Sequence, residues 1–111
     1  MRATFEMSYL SLPAGDPPPA RKPSRNRAAG WHSHPRGQIL IAISGLGQVQ
    51  AEGGEVRQLR PGDAIWAPPS ERHWHGAVPG HDFAYTSIHP IDPATGTYAD
   101  WPSDQESFSQ R

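Results

Sequence analysis

Apolar residues in this chain come in short runs about ten residues apart, divided by Gly or Pro, which is the texture of strands joined by tight turns. The strongest run is Gln38-Ile39-Leu40-Ile41-Ala42-Ile43-Ser44, closed by Gly45-Leu46-Gly47. Side chains alternate across a strand, so Gln38, Leu40 and Ala42 share one face while Ile39, Ile41 and Ile43 form an aliphatic stripe on the other. With both faces apolar, neither is expected to see water, and a second sheet or a second subunit must cover the outer one.

The remaining runs are shorter. Thr4–Leu12 reads as a strand with Phe5, Met7 and Tyr9 on one side, although its partner is not evident. Gly15-Asp16-Pro17-Pro18-Pro19 forces an extended, polyproline-like path, and Lys22–Ala29 is polar and basic without alternation, so a surface arm is expected there. Gln48–Ala51 and Val56–Leu59 are joined by a hairpin turn at Glu52-Gly53-Gly54-Glu55. Arg60-Pro61-Gly62-Asp63 fits a type I or II turn into Ala64–Ala67, which the stiff Pro68-Pro69 ends. Phe83–His89 makes another strand, with Phe83, Tyr85, Ser87 and His89 on one face. Ile91–Thr95 reads as a loop, Gly96–Trp101 as a last short strand and Pro102–Arg111 as a polar tail.

This pattern predicts an all-β fold, a small antiparallel barrel or two-sheet jelly roll, with no helix needed. Residues 1–29 form an N-terminal strand and Pro/basic arm, 30–101 the barrel, and 102–111 the tail. At 111 residues the chain has room for one core. Thirteen prolines and eleven glycines disfavour long helices. A net charge of −1 gives no long-range pull toward nucleic acid or anionic lipid. The local basic run Arg21, Lys22, Arg25, Arg27 reads as a solvated loop. The absence of cysteine excludes disulfides and thiolate metal sites. No run approaches the length of a membrane helix, and Met1–Leu12 lacks the order of a signal peptide, so a cytoplasmic location is expected.

The candidate chemistry lies in Trp31-His32-Ser33-His34-Pro35-Arg36-Gly37-Gln38. His32 and His34 share strand parity and make a two-toothed clamp. On an unbroken strand Gln38 would lie roughly 13 Å beyond His34, so the chain must turn if Gln38 is to join them. Pro35 and Gly37 supply the angles for such a turn. His73 and His75 repeat the clamp about forty residues later, so four of the six histidines are paired in this way. One clamp alone would read as ordinary hydrogen-bonded side chains; two point to a metal.

These residues resemble the motifs of the small single-domain cupins of the type-2 family. His32, His34, Gln38 and Gly45 stand at the intervals of the first cupin motif. Gly62, Pro68, Ser70 (where glycine is usual) and His73 stand at those of the second. The resemblance spans roughly 30–88 and implies a cupin jelly-roll β-barrel of two packed antiparallel sheets. It implies that His32, His34, Gln38 and His73 bind one divalent metal, with His75 lining the cavity beside it. The chain looks most like the bacterial cupins related to manganese-dependent hydroxynitrile lyases, which share Gln38 and the string His73-Trp74-His75-Gly76-Ala77. Two departures stand out: Tyr85 occupies the place of a pocket histidine, with His89 nearby on the same face, and the strand expected within Arg21–Ala29 is not recognisable.

Three neutral imidazoles and a neutral amide would leave the full +2 charge on the ion, favouring a bound anion or the acidification of a hydroxyl. Nitrogen and oxygen donors suit manganese, iron, nickel or zinc without ranking them; manganese or iron is the expected ion. His75 is the expected general base, and Tyr85 and His89 are expected to orient substrate or hold its oxyanion. Trp31, Trp66 and Trp74 are expected to pack walls, and Arg36 to lie exposed on the turn or reach the cavity mouth. The expected activity is a metal-dependent lyase acting on a small molecule, a cyanohydrin being the candidate that the resemblance implies. An oxygenase and a non-catalytic sensing cupin are the alternatives. The uncovered isoleucine stripe predicts a homodimer.

Overall fold

The structure, a computed structural model, describes residues 3–14 and 30–99. The predicted basic arm, the polar tail and the end of the predicted last strand lie outside the described residues.

Seven strands follow in order: β1 (Phe5–Leu12), β2 (Gln38–Gly45), β3 (Gly47–Ala51), β4 (Arg57–Leu59), β5 (Ala64–Ala67), β6 (His73–Ala77) and β7 (Phe83–Pro90). They form a four-stranded sheet, β1-β7-β2-β5, and a three-stranded sheet, β4-β3-β6. Every pairing is antiparallel. The described residues contain no helix. The fold is the expected two-sheet jelly roll. β1 pairs with β7 along its whole length, from Phe5 opposite Pro90 to Leu12 opposite Phe83.

Turn chemistry sets the path. Arg60–Asp63 closes with Asp63 N donating to Arg60 O at 2.9 Å, and Gly62 takes a φ of 95°, which makes it the type II alternative. β2 ends at Gly45, whose φ of 77° and close approach to the Asp82 carbonyl leave no place for a side chain. Between Ala42 and Ser44 the register with β7 shifts, a bulge that bends β2 toward this corner.

Between the sheets lies a core of Leu40, Ala42, Val49, Leu59, Ala77, Phe83 and Tyr85. Burying a side chain such as Leu40 or Phe83 is worth about 1.5–3 kcal/mol. The second sheet covers only this inner face. On the outer face Ile39 and Ile43 remain 39% and 46% exposed within the single chain, in line with exposed Phe5, Met7 and Tyr9 on β1.

Two sequence expectations are corrected. Trp66 is not buried core material: on β5, opposite Ile39 of β2, it shares that residue's outward parity and is 54% exposed, contributing only to the lining of a cavity. Trp31 and Trp74 are buried as expected. Residues 96–99 are bent, irregular chain following a turn at 93–95 instead of a strand, because Asp92 draws the chain back on itself. Gly96 N donates to Asp92 O at 2.7 Å, Asp92 N donates to Thr97 O at 2.9 Å, and Gly96 takes a φ of 72°.

Candidate metal centre

The two histidine clamps meet backbone to backbone. His32 and His73 form an isolated antiparallel bridge, His32 N donating to His73 O at 2.9 Å and His73 N to His32 O at 2.8 Å. The predicted turn after the first clamp is present: Gly37 N donates to His34 O at 3.1 Å, with Gly37 at a φ of 89°, and Gln38 then enters β2 facing inward. The same His34 carbonyl accepts from Ser70 N at 2.9 Å, tying the Pro68-Pro69 turn to the first clamp. Ser70 stands at a φ of 67°, the left-handed conformation that explains why glycine is usual at its place.

Together these contacts gather the imidazoles. The His32 ring centroid lies 4.8 Å from that of His34, 4.6 Å from His73 and 5.6 Å from His75. The ligand nitrogens of His32, His73 and His75 all lie within 4.8 Å of one another, a group able to hold a metal ion. His34 is not in that tightest group, but its ring centroid is 5.1 Å from that of His73. Gln38 Oε1 lies 3.0 Å from His73 Nε2. His32, His73 and His75 thus come together with the Gln38 oxygen beside His73, while His34 packs against the His32 and His73 rings at the edge of that group.

Backbone carbonyls fix the tautomers. His32 Nδ1 donates to Gly30 O, His34 Nδ1 to Tyr98 O at 2.8 Å and His73 Nδ1 to Glu71 O at 3.1 Å. A neutral imidazole that donates from Nδ1 keeps its lone pair on Nε2, as a metal ligand must. His34 Nε2 is buried without a hydrogen-bond partner. Gln38 Nε2 donates to Ser87 Oγ at 2.7 Å, so Oε1 and the His73 Nε2 lone pair face each other, two acceptors that a cation between them would satisfy. The donor set present fits a divalent ion of nitrogen and oxygen preference.

Burial keeps the cluster uncharged. Desolvation, followed by the neighbouring His73, lowers the His32 pKa to about 3. Desolvation lowers His34 to about 4, against the opposing pull of its bond to the Tyr98 carbonyl. His73 is lowered by burial, and His75 falls well below the usual 6.5 by burial and then by His32 and His73. The Tyr85 phenol is raised by desolvation and so keeps its proton.

Each remaining predicted residue has a definite place. His75 Nε2 and Tyr85 Oη are 3.1 Å apart, and His75 Nδ1 is buried without a partner. The His89 ring lies 4.3 Å from His34 and 4.9 Å from Tyr98, and its Nδ1 meets Glu6 Oε1 at 2.7 Å. Arg36 is exposed on the turn. A cavity of about 780 Å³ opens between the β3–β4 hairpin and β5 and reaches His73, passing Val49, Arg57 and Trp66.

Sequence reasoning missed Ser87, Glu6 and the Tyr98 carbonyl. Ser87 was visible only as an inward parity position. Glu6 lies on a strand whose partner had not been identified, and a backbone carbonyl leaves no sequence signal.

Residues 23–89 match the cupin domain family, and the chain belongs to it. Among proteins of known activity it is similar to the (R)-mandelonitrile lyase of Granulicella tundricola, 44% identical over 71 residues, or 64% of this chain. The matched region is 53% of that lyase, so the similarity spans about half of its length. Of solved structures, a cupin-like protein from Thermotoga maritima aligns with a TM-score of 0.68 at 28% identity, covering 93% of this chain and 71% of that one. A DMSP lyase from Ruegeria pomeroyi aligns with a TM-score of 0.67 at 20% identity, over 91% of this chain and 44% of that one, and shares the fold. No helix among the described residues is long and apolar enough to cross a membrane.

Proposed function

We propose that this cupin is a divalent-metal-dependent lyase of small oxygenated substrates, with a cyanohydrin as the substrate class. The observation that carries the reading is the locking of three buried histidines by backbone carbonyls, which leaves Nε2 of each as the coordinating atom beside the Gln38 oxygen. His32, His34, Gln38 and His73 are the residues that would hold the ion, manganese or iron by preference. When bound, a divalent ion in this all-neutral set supplies Lewis acidity that favours loss of a substrate hydroxyl proton.

The chain's own groups then account for the proton. With His75 Nε2–H donating to Tyr85 Oη, Nδ1 carries the lone pair and lies buried with no other partner, so Nδ1 is the base. The hydroxyl proton passes to Nδ1 as the oxygen's electrons form the carbonyl and the bond to the nitrile carbon breaks. The departing cyanide recovers the proton from His75. Tyr85, protonated, donates toward the departing group. His89, held at Nδ1 by Glu6 and packed beside His34, is the further residue that orients substrate. The (R)-mandelonitrile lyase similarity supports the substrate class.

The test is cyanohydrin cleavage by full-length protein, metal-loaded and chelated, beside the variant His75→Ala. Expected are turnover only in the loaded parent, and a His75→Ala variant that keeps its metal but loses activity. Equal turnover with and without metal, or an active His75→Ala variant, overturns the reading.

A further inference from the structure

Ser87 is assigned no part by the reading above, and its position gives it one. It lies on β7 facing inward, is 3% exposed, and its Oγ accepts from Gln38 Nε2 at 2.7 Å. Gln38 is 1% exposed, so neither end of its amide has recourse to bulk water.

We infer that Ser87 is the positioning residue that presents the Gln38 carbonyl oxygen to the metal. The inference rests on the metal reading of this site. An amide has one end that ligates a cation and one that repels it, and the two have nearly the same shape. Without an ion, the amide gains by turning its N–H toward the His73 Nε2 lone pair 3.0 Å away. With an ion held, Oε1 must face the cation, and the buried N–H needs an acceptor on the opposite side. Ser87 Oγ is that acceptor. An alanine there leaves the N–H without an acceptor when an ion holds Oε1, and the amide cannot turn to recover one, so metal affinity falls. A hydroxyl serves either amide orientation, accepting from N–H or donating to the oxygen, so Ser87 permits the metal-free turn and still supports the bound one.

The test is Mn²⁺ binding to the full chain by titration calorimetry, with the Mn²⁺ resonance spectrum as a second readout. Ser87→Ala is expected to weaken binding by about 10- to 100-fold and alter the spectrum of the bound ion. Ser87→Thr, which keeps the hydroxyl, is expected to restore affinity to within a few-fold. In a Gln38→Ala background, Ser87→Ala is expected to change nothing further, because it acts through the amide. A parent that binds Mn²⁺ and a Ser87→Ala variant that binds it equally well overturns this inference alone, as does an undiminished effect in the Gln38→Ala background. A parent that binds no divalent metal overturns the metal reading and this inference together.

Discussion

His32 and His73 exchange two backbone hydrogen bonds, at 2.9 and 2.8 Å, and so hold the two halves of the centre in fixed register although they stand far apart in sequence. Their side chains emerge from paired positions with ring centroids 4.6 Å apart. This backbone pairing alone brings the two imidazoles side by side.

The buried imidazoles make metal-free protein sensitive to mild acid. His32 and His34 have folded pKa values of about 3 and about 4, below the 6.5 of a solvated imidazole. A group whose pKa is depressed by folding contributes stability that is intact above the unfolded value and is lost as the pH falls through the folded one. Denaturant midpoints of chelated protein are therefore expected to stay level above about pH 6.5 and to fall already between about pH 6.5 and 5, before ordinary carboxylates titrate. A midpoint that holds constant across that window contradicts the burial account.

Ser70 occupies a left-handed conformation, φ 67°, in a turn whose amide is tied to the His34 carbonyl. A side chain in that region costs about 1–2 kcal/mol that glycine does not incur. Ser70→Gly is expected to raise stability by about 1 kcal/mol after the greater chain freedom of glycine is offset. Equilibrium unfolding measures this; a destabilised variant would mean that the hydroxyl has a role the geometry does not show.

Gly45 presents the opposite case. It combines a φ of 77° with a backbone carbonyl, that of Asp82, occupying the space a side chain needs. Gly45→Ala is expected to cost more than about 1 kcal/mol, since neither the angle nor the carbonyl can yield without moving the β2–β7 pairing. Thermal unfolding of the variant within a degree of the parent would contradict that placement.

The outer face of the larger sheet carries Met7, Ile88, Ile39 and Trp66 across adjoining strands. We propose that a second copy of the chain covers it, as an apolar strip of this breadth is uncommon on a monomer. Sedimentation is expected to give a homodimer, and Ile39→Lys, which places a charge at the middle of the strip, a monomer. A monomeric parent at micromolar concentration removes the proposal.

Strand parity and turn residues made most of the fold legible. Gly37 permitted the turn it was expected to permit, Gln38 entered β2 facing inward, and the inward series Phe83, Tyr85, Ser87, His89 was read directly from alternation. What stayed hidden depended on contacts between distant segments. The pairing of Thr4–Leu12 with β7 leaves no local mark, so Glu6 was not connected with His89. Trp66 was expected to be buried because large aromatic residues usually are, whereas the β2–β5 register sets it opposite the outward Ile39. Residues 96–99 read as extended, yet the two bonds to Asp92 bend the chain there, and that bend carries the Tyr98 carbonyl to His34.

The most direct measurement is elemental analysis of metal bound per chain, made on the parent and on His73→Ala after both are equilibrated with one divalent ion. One ion per chain in the parent, lost when the His73 imidazole is removed, is the outcome predicted by a centre built on the His32–His73 bridge. A parent without bound metal, or a His73→Ala variant with the same content as the parent, contradicts it.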